Sequence, residues 1–158
     1  MVERNGPVDR RRRRNRAIKG GLLPGLIGYN VRRAQIAIFQ KFRAATAAFD
    51  LTPGQFGVLV LIDSNEGLSQ SELGEALGID RSTMVAVIDR LEARGLVVRA
   101  PSPSDRRSYA LKLSDEGASL LAEITPAVLA HERAMAASLT AEEQQTLTAL
   151  LAKLASEE

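Results

Sequence analysis

A chain of 158 residues, 45% hydrophobic and 25% charged, can bury the core of one domain carrying extensions. It has no cysteine and a single histidine, His131, which excludes disulfides, thiolate metal sites and thiol switches and argues against a histidine-rich metal site. The net charge is only +2, no apolar run approaches membrane-spanning length and no hydrophobic signal core opens the chain, so a soluble cytoplasmic protein without a membrane partner is expected.

Residues 1–20 hold eight Arg or Lys against two acids, with Arg10 to Arg14 in a row. This composition reads as a disordered basic arm, either a DNA-backbone contact or a solvated tail, with targeting as a third reading. A long helical pattern then runs from about Leu22 to Phe49, with Pro24 in its first turn. Ile27, Val31, Ala34, Ile38, Phe42, Ala45 and Phe49 recur at spacings of three and four, and Ile36 and Phe39 widen the stripe. A helix apolar on more than one side must bury more than one side, one against its own domain and one against a partner subunit.

Thr52-Pro53-Gly54-Gln55 is a capping box that opens a second helix through about Ile62. Asn65 to Leu68 reads as a loop or short strand. Ser69-Gln70-Ser71-Glu72 is another capping box, for a third helix ending near Leu77-Gly78. Asp80 caps a fourth helix that runs to Arg94 and stops at Gly95. Leu96 to Arg99 and Tyr109 to Leu113 read as strands, around a turn-rich tip from Pro101 to Arg107. Ser114 opens a fifth helix with Asp115 and Glu116 in its first turn, which Pro126 should kink or break. Thr140-Ala141-Glu142-Glu143 starts a last helix to about Leu154. Residues 81–112 hold seven Arg or Lys against three acids, and residues 114–158 hold two against eight. The middle of the chain is thus suited to phosphates and the C-terminal third is not.

Two short capped helices followed by two strands form the order of a winged helix-turn-helix. The fold expected is mainly α with a small β-wing: an arm at 1–20, a dimerisation helix at 21–50, a DNA-binding domain at 51–114 and C-terminal dimerisation helices at 115–158. In the fourth helix Met84, Val87, Ile88 and Leu91 share the core face. The opposite face carries Ser82, Val85, Ala86 and Asp89, flanked by Arg81 and Arg90. Such a helix offers its N-terminal outer residues to the major groove. Ser82 and Thr83 suit phosphates or bases, Val85 a thymine methyl, and Arg81 or Arg90 guanine or phosphate. The free N–H groups at Ser69, Gln70 and Ser71 form a phosphate site alongside ordinary capping. Arg106 and Arg107, on an exposed tip, suit a narrow minor groove, with Asp105 orienting an arginine.

These residues resemble the MarR family of bacterial transcription regulators over roughly Leu22 to Leu154. The most specific likeness is Asp105-Arg106-Arg107 with Leu111, Leu113 and Ser114, similar to the family's Asp-x-Arg wing signature. Leu91 to Val97 also resembles the end of the family's recognition helix. The resemblance implies that Asp105 orients the wing and Arg107 enters the minor groove. It implies a triangular homodimer on a pseudo-palindromic operator, with half-sites about 10 bp apart. Val85 and Ala86 depart from the polar or basic pair common in the family, which moves specificity toward Arg81, Ser82, the wing and DNA shape. The stripe Leu120, Leu121, Ile124, Val128 and Leu129 calls for burial beyond one winged domain.

Tyr29 to Phe39 is similar to regulators of aromatic-acid catabolism. That likeness implies a small-molecule effector, an aromatic acid or its coenzyme A thioester, held by Tyr29, Asn30, Arg32, Arg33 and Phe56; the alternative for Arg32 and Arg33 is solvation or interface ion pairs. No other cofactor and no metal is expected, and His131 is read as an interface or surface residue. The leading function is a ligand-responsive, DNA-binding repressor released by its effector. The alternative is a winged-helix interaction or dimerisation module without DNA. An enzyme is not expected: no paired carboxylates, Ser/His/Asp layout or phosphate-binding glycine loop occurs, and one histidine offers little to activate a serine.

Overall fold

Every α-helix after the first begins where a side chain closes its first turn. The structure, a computed structural model, describes residues 18–101 and 109–156. A 3-10 turn at Leu23–Gly25 precedes α1 (Ile27–Ala45), and a second at Ala47–Phe49 follows it. The single long helix read from Leu22 to Phe49 is therefore shorter, and Pro24 lies in the turn before it. Then come α2 (Pro53–Ser64), α3 (Gln70–Leu77), α4 (Arg81–Ala93), β1 (Val97–Pro101), β2 (Tyr109–Leu113), α5 (Asp115–Ala136) and α6 (Ala141–Ala155). Thr52, Ser69 and Thr140 close full capping boxes with Gln55, Glu72 and Glu143, and Asp80 and Ser114 cap α4 and α5 through one side-chain acceptor each.

The two helices of the turn motif end alike. Gly78 and Gly95 take positive φ, 61° and 71°. Behind them Ile79 N–H reaches Gly74 O at 2.8 Å and Leu96 N–H reaches Leu91 O at 2.9 Å. These are the six-to-one bonds of a glycine-terminated helix, which satisfy carbonyls the helix leaves free. Leu96 is thereby spent on ending α4, and β1 starts one residue later than the sequence pattern suggested. It runs on through Pro101, which pairs with Tyr109 at the end of the antiparallel ladder. Asn65 to Leu68 forms no strand, yet Leu68 O accepts Leu111 N–H at 2.9 Å and ties the loop to β2.

The chain divides into two units, Met1–Gln35 and Ile36–Glu158. The second holds the core, in which Val58, Leu59, Leu73, Met84, Ile88, Leu91 and Ile124 are wholly buried. Burying a side chain of this kind contributes about 1.5–3 kcal/mol, so this cluster is what fixes α2, α3, α4 and α5 together.

Three expectations change. Pro126 does not break α5, which continues through it from Asp115 to Ala136. Leu121, Ile124 and Val128 are buried in the chain's own core, and only Leu129 of that stripe is exposed. His131 is neither on the surface nor left for an interface: it is 6% exposed, edge-on to Phe42 at 5.8 Å between ring centroids. The spacing Leu121, Ile124, Val128, His131 carries it onto the buried face of α5. Among the described residues no helix is long and apolar enough to cross a membrane.

Candidate nucleic-acid interface

The outer side of α4 is where sequence phase and structure agree most closely. Met84, Ile88 and Leu91 are wholly buried and Val87 half-buried, whereas Arg81, Ser82, Thr83, Val85, Ala86, Asp89 and Arg90 are exposed. An eleven-residue stretch thus splits into a face that anchors the helix and a face open to a ligand.

At its start the Asp80 carboxylate accepts three bonds. Thr83 N–H donates at 3.0 Å, and the Ser82 and Thr83 hydroxyls each donate at 2.6 Å. These bonds hold the Asp80 carboxyl well below the ordinary carboxylate range, the Ser82 bond being the largest cause. An ionised carboxylate can only accept, so both hydroxyl protons are directed to it. Ser82 and Thr83 then present acceptor lone pairs outward, which suits the amino groups of bases better than phosphate oxygens.

Ser69, Gln70 and Ser71 stand at the start of α3 as the sequence predicts, but Ser69 is occupied. Its hydroxyl accepts Glu72 N–H at 3.3 Å and donates to the Glu72 carboxylate at 2.7 Å, which also takes Ser69 N–H at 2.8 Å. The same Ser69 bonds lower the Glu72 carboxyl from its ordinary value. Gln70 and Ser71 face a cleft of about 240 Å³ that Gly74, Glu75, Ile79 and Arg81 also line. Arg81 and the first turn of α3 therefore converge on one concavity, with Glu75 as its acid. Asp105, Arg106 and Arg107, and the arm before Ile18, lie outside the described residues.

Two arginines escaped the sequence reading because their partners are distant in the chain. Arg99 on β1 bonds Asp89 and Glu92 of α4. Arg94, at the end of α4, donates to Asp50 O at 2.6 Å and to Phe49 O at 3.0 Å. Asp50 takes φ of 49°, the described non-glycine residue with positive φ, and Arg94 pins the backbone on both sides of that bend.

Of the expected effector residues, Arg32 and Arg33 are exposed on α1 and Tyr29 is half-buried, with the Arg33 guanidinium 5.6 Å from the Tyr29 ring centroid. Asn30 is largely spent on its own helix start, its amide donating to Pro24 O and Leu26 O, which leaves its carbonyl oxygen for a ligand. Phe56, on α2, is half-buried against Phe42 at 6.2 Å. A cleft of about 590 Å³ that the sequence did not foretell is lined by Phe39, Arg43, Thr46, Asp50, Leu51 and Thr52, among others.

Comparison with known proteins gives a consistent result. The sequence model of the MarR family matches residues 49–108. A protein of Thauera aromatica assigned to regulation of the hcr operon is 43% identical over 85% of this chain and 81% of its own length. The transcriptional repressor CouR bound to a 23-mer DNA duplex superposes with a TM-score of 0.82 at 43% identity, covering 88% of this chain and 99% of CouR. CouR bound to p-coumaroyl-CoA gives a TM-score of 0.82 at 39% identity, covering 89% and 99%.

Proposed function

The chain belongs to the MarR family, and from that membership we propose that it is a homodimeric DNA-binding repressor that leaves its operator when a small aromatic acid, or the coenzyme A thioester of one, binds. The observation that carries this reading is the division of α4 into a buried side and an exposed side bearing Arg81, Ser82, Thr83, Val85 and Arg90. In the proposed complex that side enters the major groove. Gln70, Ser71 and Arg81 meet the phosphate backbone around their shared cleft. Ser69 acts there through the helix start rather than through its hydroxyl. Asp105, Arg106 and Arg107 form the wing tip, with Arg107 in the minor groove. The protein works in the cytoplasm, where its DNA is.

Support for the two halves of this cycle comes from CouR, one structure of which holds a DNA duplex and another p-coumaroyl-CoA. In the effector half, Arg32 and Arg33 offer charge for a carboxylate or phosphate, and Tyr29 and Phe56 offer aromatic surface. A ligand preferring the conformation that does not fit the operator shifts the population away from DNA, by no more than its preference between the two states.

The test is a salt titration of binding to a duplex from the region flanking the gene, with and without p-coumaroyl-CoA. Binding should weaken linearly on a log–log salt plot, as counterion release requires, and the thioester should release the duplex. Absence of binding even at low salt overturns the repressor reading and leaves a winged-helix module that contacts protein. Binding that ignores both the thioester and free aromatic acids overturns the effector assignment.

A further inference from the structure

The DNA-facing helix carries two acids, and that is a problem for a helix laid against phosphates. Asp89 and Glu92 stand on consecutive turns of α4 with side chains 56% and 39% exposed. The helix itself supplies only Arg81 and Arg90 as cations, so its own charge sums to nothing. A bare carboxylate pair beside a polyanion would oppose binding, since like charges facing each other across an interface are strongly unfavourable.

Arg99 answers both acids at once. Its Nη2 lies 2.7 Å from Asp89 Oδ1, and its Nη1 bonds Glu92 Oε2. Residues three apart on a helix are surface neighbours, so one planar guanidinium can span them with its two arms. The Arg99 guanidinium is held further above its usual range, with the Asp89 hydrogen bond as the main cause, in keeping with a shared charge rather than a free one. Arg99 also belongs to β1, in register with Leu111 of β2. The bond that discharges the helix therefore also fastens to it the strand leading into residues 102–108.

We propose that Arg99 is a positioning residue for DNA binding: it cancels the charge of Asp89 and Glu92 on the reading helix and clamps the wing strand to that helix, without itself touching DNA. The proposal rests on the repressor reading above. A phosphate contact by Arg99 would be the competing role, and a purely structural ion pair the other.

A double-mutant cycle separates these. R99A should weaken operator binding by about tenfold, through the two carboxylates it exposes. D89N/E92Q, which removes the charges but keeps amide oxygens that can still accept from Arg99 and hold the strand, should bind at least as tightly as the unaltered protein. In that neutral background R99A should cost no more than about two- to threefold, because little is left to cancel. R99K should fall between, since an ammonium is a point charge without the two-armed fork. Circular-dichroism melts of every variant report folding separately. A full tenfold loss in the neutral background overturns the proposal in favour of direct contact. An R99A protein that binds as well as the unaltered one, or whose loss tracks unfolding alone, overturns it in favour of a structural pair. Failure of the unaltered protein to bind duplex DNA is a different result, and it defeats the repressor reading itself.

Discussion

Asp80 is where a cap and the proposed reading surface share one carboxylate. Its three bonds stabilise the ionised form in the folded protein and depress its pKa below the unfolded value of 3.8. The resulting stability is fully present above that unfolded value and is lost as pH falls through the folded one. Asp80→Asn keeps an acceptor for the cap but removes the titration. The difference in melting temperature between the unaltered protein and D80N should therefore be constant above about pH 5 and shrink below about pH 4; a constant difference down to pH 2 would deny Asp80 this role. The capping pattern was legible because cap and recipient lie three residues apart, as at Thr52, Ser69, Ser114 and Thr140. The hold of Asp80 on the Ser82 and Thr83 hydroxyls was available in the same letters and was missed. The Arg99 fork was not available, because seven and ten residues separate it from its partners and only the return of β1 along α4 brings them together.

At the scale of elements, α5 is joined to the winged part at its first turn. Ser114 N–H donates to Leu96 O at 3.1 Å, the Ser114 hydroxyl donates to Gly95 O, and Gly117 N–H donates back to that hydroxyl at 2.9 Å. Gly117 then packs against backbone so closely that a Cβ would stand 2.0 Å from Leu96 O. A carbonyl at the end of α4 cannot swing aside as a side chain can. Gly117→Ala should thus destabilise the fold by about 3 kcal/mol, the upper end of overpacking effects, read by urea unfolding. A change under about 0.5 kcal/mol, the size of an ordinary surface substitution, would mean that α5 is not seated there. This seat lies at the junction between α4 and β1. Sequence placed α5 correctly from Ser114 but misjudged what its apolar stripe faces. Leu121, Ile124 and Val128 would repeat with the same spacing against a partner or against their own core, and only the fold decides. Pro126 does not end α5, because a helix held by a buried face can tolerate one missing hydrogen bond.

For the molecule as a whole, the case for a homodimer moves from α5 to α6. No residue of α6 is buried. Leu147, Leu150, Leu151 and Leu154 fall on one face at spacings of three and four and are all exposed. A 15-residue helix is marginal in water by itself, and its stability comes from packing an apolar face. Along residues 22–31, Leu22, Leu23, Leu26, Ile27 and Val31 are exposed as well. Both segments thus present apolar surface that a second copy of the chain would cover. If it does, folding and association are linked, and the melting temperature rises with protein concentration. Leu150→Glu with Leu154→Glu places two charges in the middle of that face without altering any residue offered to DNA. The doubly substituted protein should sediment as a monomer and melt lower, with no concentration dependence. It should also lose operator affinity by far more than one contact is worth, because two reading heads would no longer be held on one duplex. A variant that stays dimeric with an unaltered melt would exclude α6 from the interface and leave residues 22–31 to supply it. The sequence held the α6 stripe in plain view; what it could not supply was the knowledge that nothing among the described residues covers it.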